Sequence, residues 1–240
     1  MNTKFHFILV SFFLFSSVIF GQAAGGGSYV HSEARLNDLI GKIKNDDGEI
    51  VDLKGVNGSP YETETFQPGM VSNKKLNDNK SYYFRYNIYD DTIEMKETQF
   101  DENLYGLIKS LNIYAKIRAK EYHYEIYTED NKRSTDEGYF ILISKGEKVD
   151  LYLRKTKTFI DAQPAKDAYH QAVKATFKDF EAYYYKTGRV LILLPTKKKD
   201  ILEQLSDHES EIKKYLKEEK INLKDEDDLI KLMNYYGTLI

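Results

Sequence analysis

The chain has 240 residues, a formal net charge of -3, 20 tyrosines, no tryptophan and no cysteine. The absence of cysteine excludes disulfides, cysteine-based zinc sites and thiol nucleophiles. Acidic and basic residues are interspersed, so the charge gives no reason to expect a nucleic-acid partner. Tyrosine favours β-strands, and its abundance predicts a β-rich protein.

The N-terminal residues 1–23 have the pattern of a signal peptide. Lys4 supplies a positive charge, an apolar run covers 5–20, and Gly21 and Ala23 place small side chains where a signal peptidase cleaves. The run is short for a membrane anchor. The pattern predicts an exported protein, periplasmic, at the cell surface or secreted, that is not an integral membrane protein after cleavage near Ala23.

Residues 24–57 are predicted to form a leader. Four apolar residues at helical spacing favour a short amphipathic helix over 31–44, with an exposed arm as the alternative. These residues are Leu36, Leu39, Ile40 and Ile43. A short strand is predicted at 49–53.

A β-rich domain is predicted over 58–195, because apolar and polar residues alternate at strand period in several segments. Strands are predicted at 113–119 and 121–127. A hairpin around Lys145–Gly146 pairs Leu142 with Val149 and Phe140 with Leu151. Another hairpin, around Thr187–Gly188, is apolar on both faces, which predicts a central position in the sheet. The alanine-rich segment 163–176 fits a helical turn or a covering loop.

The segment "YYFRYNIYDDTIEMK" over 82–96 predicts a hairpin with Asp90 and Asp91 in its loop. The predicted pairs are Ile88–Ile93, Asn87–Glu94, Tyr86–Met95 and Arg85–Lys96, which collect the apolar side chains on one face. A four-residue loop is favoured over a two-residue loop because adjacent aspartates suit the tightest turns poorly. The two aspartates are therefore interpreted as a turn and not as a carboxylate site.

From residue 196 to 240 the apolar pattern changes to helical period and predicts a tail of two to three helices. Ser206 and Glu209 match a capping box, acidic residues at 225–228 suit a helix N-terminus, and Gly237 is predicted to end the last helix. The predicted fold class is α+β, with a mainly antiparallel sheet forming a barrel-like or sandwich body, followed by this helical tail.

Three stretches resemble a family of small exported proteins of Bacteroidota: "GSPYETETFQPGMV" at 58–71, "RYNIYDDTIEMK" at 85–96, and the tail at 197–236. The resemblance covers nearly the whole mature chain and is weaker over 99–133. It implies a cell-envelope or secreted setting in a Gram-negative bacterium. It implies no activity, substrate or catalytic residue.

One strand face carries the residues that we predict to bind a ligand. Glu121, His123 and Glu125 alternate along a predicted strand and lie ~6.8 Å apart on one face. Histidine with carboxylates can hold zinc or orient a general base, but this spacing is wide for one ion. The alternative interpretation is a solvated strand face.

The sequence contains neither a Gly-x-Ser-x-Gly nor a His-Glu-x-x-His motif. We therefore predict no catalytic residue, no metal ligand and no cofactor. The predicted function is that of a non-enzymatic envelope or secreted protein acting by protein or small-ligand binding, with an envelope or extracellular protein or a glycan as partner. The alternative is a metal-assisted hydrolase that uses the face formed by Glu121, His123 and Glu125.

Overall fold

The computed structural model describes the backbone of 40–42 and residues 55–75, 78–129, 134–165, 167, 169 and 171–240. The predicted signal peptide and the strand predicted at 49–53 lie outside these residues. The described chain forms one large, mostly antiparallel sheet followed by three helices, which confirms the predicted α+β class. No helix in this part of the chain is long and apolar enough to cross a membrane.

The sheet contains eleven strands within the described residues, and the tail contains three α-helices and a 3-10 turn at Ser206–His208. The strands are β1 (Ile40–Lys42), β2 (Gln67–Asn73), β3 (Asp78–Asn87), β4 (Thr92–Lys96), β5 (Tyr105–Leu107), β6 (Ile113–Ile117), β7 (Lys120–Thr128), β8 (Asp136–Ser144), β9 (Asp150–Ile160), β10 (Thr176–Lys186) and β11 (Leu191–Leu193). The helices are α1 (Lys198–Gln204), α2 (Glu209–Glu218) and α3 (Glu226–Leu239).

The last five strands close on themselves into a ring. The strand order is β1-β5-β4-β3-β2-β6-β7-β11-β10-β9-β8, and a further pairing joins β7 to β8. Consecutive strands of the ring run antiparallel, so with five strands the first and the last run in the same direction. The closing pair of β7 with β11 is accordingly parallel. One edge of β7 pairs with β8, and the opposite edge pairs with β6 along its first half and with β11 at its end.

The interior of this ring is filled by one buried residue from each strand. The residues are Tyr127, Phe140, Tyr152, Tyr184 and Leu191. The aromatic side chains of Tyr127, Phe140 and Tyr184 meet edge to face, with centroids 5.0–5.6 Å apart. Because side chains alternate along a strand, Glu121, His123 and Glu125 share the inner face of β7 with Tyr127.

Two further cores cover the outside of the ring. Strands β2–β6 pack over the outer face of β7–β9, where Phe84, Ile93 and Tyr122 belong to one buried cluster. The helices pack elsewhere on the ring, and Leu151 of β9 lies in a cluster with Leu232 and the rest of the helical core. The ring is thus held between the extended part of the sheet and the helical tail.

The hairpin of β3 and β4 has a different register from the predicted one. Arg85 pairs with Glu94, and the four-residue loop is 88–91. The shift is two residues, so the predicted faces are kept while the unfavourable pairing of Arg85 with Lys96 disappears. The Arg85 guanidinium is 2.5 Å from the Glu94 carboxylate and lies 3.7 Å from the centre of the Tyr61 ring.

Asp90 and Asp91 occupy the turn, as predicted, and Asp91 also joins the hairpin to the ring. Its backbone is left-handed, with φ of 49°. Its carboxylate accepts hydrogen bonds from the Tyr86 hydroxyl at 2.7 Å and from the Tyr139 backbone N–H at 3.2 Å. Gly138 permits this approach, because a Cβ there would lie 2.8 Å from the Asp91 carboxylate.

The hairpin predicted around Lys145–Gly146 exists, but its predicted pairs are wrong. Leu142 pairs with Tyr152, and an irregularity between Leu142 and Ser144 shifts the register. The hairpin around Thr187–Gly188 is confirmed: β11 lies between β10 and β7, a central position. Among the described residues of 163–176, Gln163 and Val173 form an isolated bridge in a loop, which favours the covering-loop alternative.

Three helix boundaries differ from the prediction. Residues 40–42 form a strand against β5, so the helix predicted over 31–44 does not include them; the remainder of that segment lies outside the described residues. The capping box at Ser206 is not formed, since a 3-10 turn comes before α2 and no side chain caps that helix. Gly237 lies inside α3, which continues to Leu239 and is capped by Asp225 at its start.

Candidate ligand-binding pocket

A polar pocket of about 510 Å³ lies where one end of the ring meets strands β2, β3 and β6. We call it the His123 pocket. The lining residues are Ser72, Asn73, Lys74, Asn79, Tyr114, Glu121, His123, Glu125, Leu142, Lys145, Asp150, Tyr152 and Lys186. All three residues that the sequence predicted to bind a ligand are among them.

Local pairing places the imidazole of His123 in the pocket wall. A two-residue turn joins β6 to β7, with Arg118 in the left-handed conformation at φ of 52°. This turn sets Tyr114 directly opposite His123. The two rings stack with their centroids 5.0 Å apart, and Tyr152 meets the imidazole edge to face at 6.0 Å. The imidazole is therefore fixed between two aromatic rings.

The imidazole of His123 is buried without a hydrogen bond. The residue is 7% exposed, and neither ring nitrogen has a hydrogen-bond partner. The nearest carboxylate oxygen, from Glu121, is 3.6 Å from Nε2, beyond hydrogen-bonding distance. Burial, assisted by the charge of Lys74, lowers the pKa of His123 to about 4. The ring is therefore neutral at pH 7, with one nitrogen able to donate and the other able to accept.

Glu125 is buried beside His123 but is fully paired. It is 4% exposed. Its carboxylate oxygens lie 2.6 Å from Lys186 Nζ and 3.5 Å from Lys74 Nζ. Lys74 also donates a hydrogen bond to the Leu111 carbonyl at 3.1 Å. A buried carboxylate is stable only with such partners. These ion pairs hold the turn after β2 against the ring.

Two further groups present unused hydrogen-bonding capacity to the pocket. Burial and the neighbouring carboxylates raise the pKa of Tyr152, so its hydroxyl stays protonated. Within the described residues this hydroxyl forms no direct hydrogen bond. Glu121 lies at the rim, 3.4 Å from Lys116 Nζ. The pocket thus combines a protonated hydroxyl, a neutral imidazole and a rim carboxylate.

The burial of His123 and Glu125 does not fit a solvated strand face, the alternative considered from the sequence. Sequence reasoning missed the residues that complete the pocket, chiefly Lys74, Lys186 and Tyr152. Tyr152 lies on β9 and Lys186 on β10, two strands that pair with each other. Their approach to β7 depends on closure of the ring, for which no local pattern exists.

The metal-assisted alternative has no geometric support in the part of the chain that the structure describes. No group of three or more histidine or carboxylate side chains there is arranged to hold a metal ion. Of the two carboxylates beside His123, Glu125 is already paired with two lysines. The carboxylate of Glu121 lies 3.6 Å from Nε2 of His123.

A larger depression of about 700 Å³ lies between the end of β10 and helix α1. Two polar side chains of its lining are already engaged: Gln204 donates to the Leu193 carbonyl at 2.9 Å and to the Tyr185 hydroxyl at 3.1 Å, and Tyr183 donates to Glu226 at 2.9 Å. These bonds hold the helices on the sheet, so the depression is a packing groove and the His123 pocket is the better site.

Comparison with protein-family models, curated proteins and solved structures finds no match to this chain. The resemblance to exported proteins of Bacteroidota stays a prediction.

Proposed function

We propose that this is an exported, non-enzymatic protein of the cell envelope or extracellular space that binds a small hydrophilic molecule in the His123 pocket. One observation carries the proposal: the imidazole of His123 is buried in the wall of an open polar pocket with both nitrogens unpaired. Buried polar groups in proteins are almost always hydrogen-bonded, and an unpaired one destabilises the fold. Neither nitrogen is accessible to solvent in this conformation, so a ligand would bond to the ring by displacing a neighbouring side chain, and that bond would offset the cost.

The size and the lining of the pocket support the same conclusion. A volume of about 510 Å³ is within the range of small-molecule sites. Small-molecule sites in general are lined mainly by hydrophobic and aromatic side chains. Here Leu142 is the single aliphatic residue in a wall of charged, amide, hydroxyl and aromatic side chains. Such a wall favours a hydrophilic ligand.

The protonation states support recognition more than proton transfer. An efficient general base has a pKa near the working pH, whereas the pKa of His123 is lowered to about 4. The pKa of Tyr152 is raised, which keeps the hydroxyl from acting as a nucleophile. Glu125 is neutralised by two lysines. His123 and Tyr152 are therefore suited to hydrogen-bond a ligand, whereas Glu125 is already paired.

Binding is tested by thermal unfolding of the purified protein with a panel of small molecules. The panel contains glycine, glutamate, lysine, adenosine, uridine, glucose and N-acetylglucosamine. We expect at least one compound to stabilise the wild type, by about 3 kcal/mol at roughly 100 times its Kd. His123→Phe keeps the ring stacking and removes both nitrogens, so it should lose this effect. The matched control His208→Phe, outside the pocket, should retain it. A panel that stabilises wild type and His123→Phe equally would contradict the proposal.

Export is tested independently by fractionating the native cells. We expect the protein in the envelope or the medium, with a mature N-terminus close to Ala24 by mass spectrometry, because the sequence pattern places cleavage near Ala23. A control variant in which Phe12 and Phe13 are replaced by Asp should stay in the cytoplasm with its N-terminus intact. Finding the unaltered protein uncleaved in the cytoplasm would overturn the exported location.

A further inference from the structure

The class of ligand can be narrowed, in an inference that rests on the proposed binding function. We infer that the His123 pocket takes an uncharged, polyhydroxylated molecule: a free sugar of one or two rings. Three properties of the pocket lead to this class, namely its charge balance, its unused hydrogen-bonding groups and its aromatic walls.

The charges that line the pocket cancel. Three lysines and three acidic residues face it, and His123 is neutral at pH 7. Glu125 is held between Lys74 and Lys186, and these three residues together carry one net positive charge. The remaining charged residues of the lining, Glu121, Lys145 and Asp150, carry one net negative charge, so the lining as a whole is neutral. A ligand with one net charge would disturb this balance, and its charge would have no partner in the pocket. An uncharged ligand would not.

The hydrogen-bonding groups of the pocket that have no partner match the hydroxyl groups of a ligand. The neutral imidazole of His123 offers one donor and one acceptor, and the Tyr152 hydroxyl can do both. An alcohol O–H also donates and accepts, so neighbouring hydroxyls on a ring can engage both residues without a change of protonation. An ammonium group can only donate and a carboxylate can only accept, and each would leave one imidazole nitrogen unpaired.

The walls are rigid and partly aromatic. The Tyr114 ring stacks on the imidazole of His123 with the centroids 5.0 Å apart, and the Tyr152 ring meets the imidazole edge to face with the centroids 6.0 Å apart. Tyrosine combines a flat apolar surface with a polar tip and loses little conformational entropy on binding. A sugar ring has the complementary form, with C–H groups on its faces and hydroxyls at its edge. The volume of about 510 Å³ accommodates one or two such rings.

The test compares sugars with charged counterparts that keep the ring. Isothermal titration calorimetry is performed with glucose, galactose, mannose, N-acetylglucosamine, maltose and cellobiose, and with glucuronate and glucosamine as the anionic and cationic counterparts. We expect an uncharged sugar to bind at least tenfold more tightly than either charged compound. Tyr152→Phe, which removes one hydroxyl, should weaken that binding about fivefold, the effect of one hydrogen bond. Tyr235→Phe, a hydroxyl deletion outside the pocket, should bind like the wild type.

The possible failures are distinguishable. If glucuronate, glucosamine or an amino acid binds through His123 more tightly than every uncharged sugar, the ligand class is wrong and the proposed binding function stands. If Tyr152→Phe binds the sugar as tightly as the wild type does, the sugar lies elsewhere and the inference is overturned. If no compound of either panel binds, the proposed function and this inference are both overturned.

Discussion

Replacing Phe140 with Ala is expected to lower the free energy of unfolding by about 4 kcal/mol, the cost of deleting a large buried aromatic ring. Phe140 is 0% exposed and touches Tyr127 and Tyr184 inside the five-stranded ring. The cavity would lie where strands β7, β8 and β10 meet, and the parallel pairing of β7 with β11 beside it is only two residues long. Urea unfolding followed by circular dichroism measures the loss.

The chain offers a matched control in Phe100→Ala. Phe100 is 90% exposed, so its truncation should change the free energy of unfolding by less than about 0.5 kcal/mol. A loss below roughly 1.5 kcal/mol for Phe140→Ala would show that the interior of the ring is loosely packed and would contradict the closed arrangement.

His123→Phe is expected to change how stability depends on pH. The pKa of His123 is about 4 in the folded protein and near 6.5 when the chain is unfolded. Between these values the unfolded chain binds a proton that the folded protein does not, so His123 lowers the stability of the wild type as the pH falls from 6.5 to 4. The full difference is about 3 kcal/mol, since one pKa unit corresponds to about 1.4 kcal/mol.

The variant lacks this titration. Its stability relative to the wild type should therefore increase by about 3 kcal/mol between pH 7 and pH 4. At pH 7 the variant should already be about 1 kcal/mol more stable than the wild type, because it removes a buried polar ring without partners. Denaturant unfolding at a series of pH values measures both effects. His208→Phe serves as the control and should follow the wild type.

Two results would contradict this prediction for His123→Phe. A variant that runs parallel to the wild type across this pH range would show that the His123 side chain is hydrated in the folded protein. A large loss of stability at pH 7 would show that the imidazole has a structural partner. The carboxylates facing His123 are Glu121 and Glu125, and the cation is Lys74. If the substitution alters the titration of these neighbouring groups, that change is the main other cause of a pH-dependent difference in stability between the variant and the wild type.

The hairpin of β3 and β4 shows what alternation of side chains can and cannot predict. The pattern assigned the correct residues to the buried face and put Asp90 and Asp91 in a four-residue turn. It did not predict the register, because a shift of two residues keeps every side chain on its face. The observed register places Arg85 opposite Glu94 within the hairpin, and contacts outside the hairpin support it: Arg85 reaches Tyr61, and Asp91 reaches Tyr139.

In the helical tail, too, the sequence pattern predicted some features and missed others. The 3.6-residue spacing of apolar residues located the helices, since a helix must bury one face. Their ends were predicted less well. Gly237 lies beside Val149, where an added Cβ would be 3.5 Å from Val149 Cγ2, and it stays inside α3 although a glycine near the end of a helix favours termination.

The sequence by itself determined the class of fold and one face of the pocket, because the alternation of Glu121, His123 and Glu125 along β7 follows from the two-residue period of a strand. The tertiary structure decided that this face is buried and lines a pocket. Tyr152 and Lys186 come to this face of β7 when the ring closes, and Lys74 comes to it through the pairing of β2 with β6 and of β6 with β7. That closure depends on packing between distant strands, which leaves no local periodicity in the sequence.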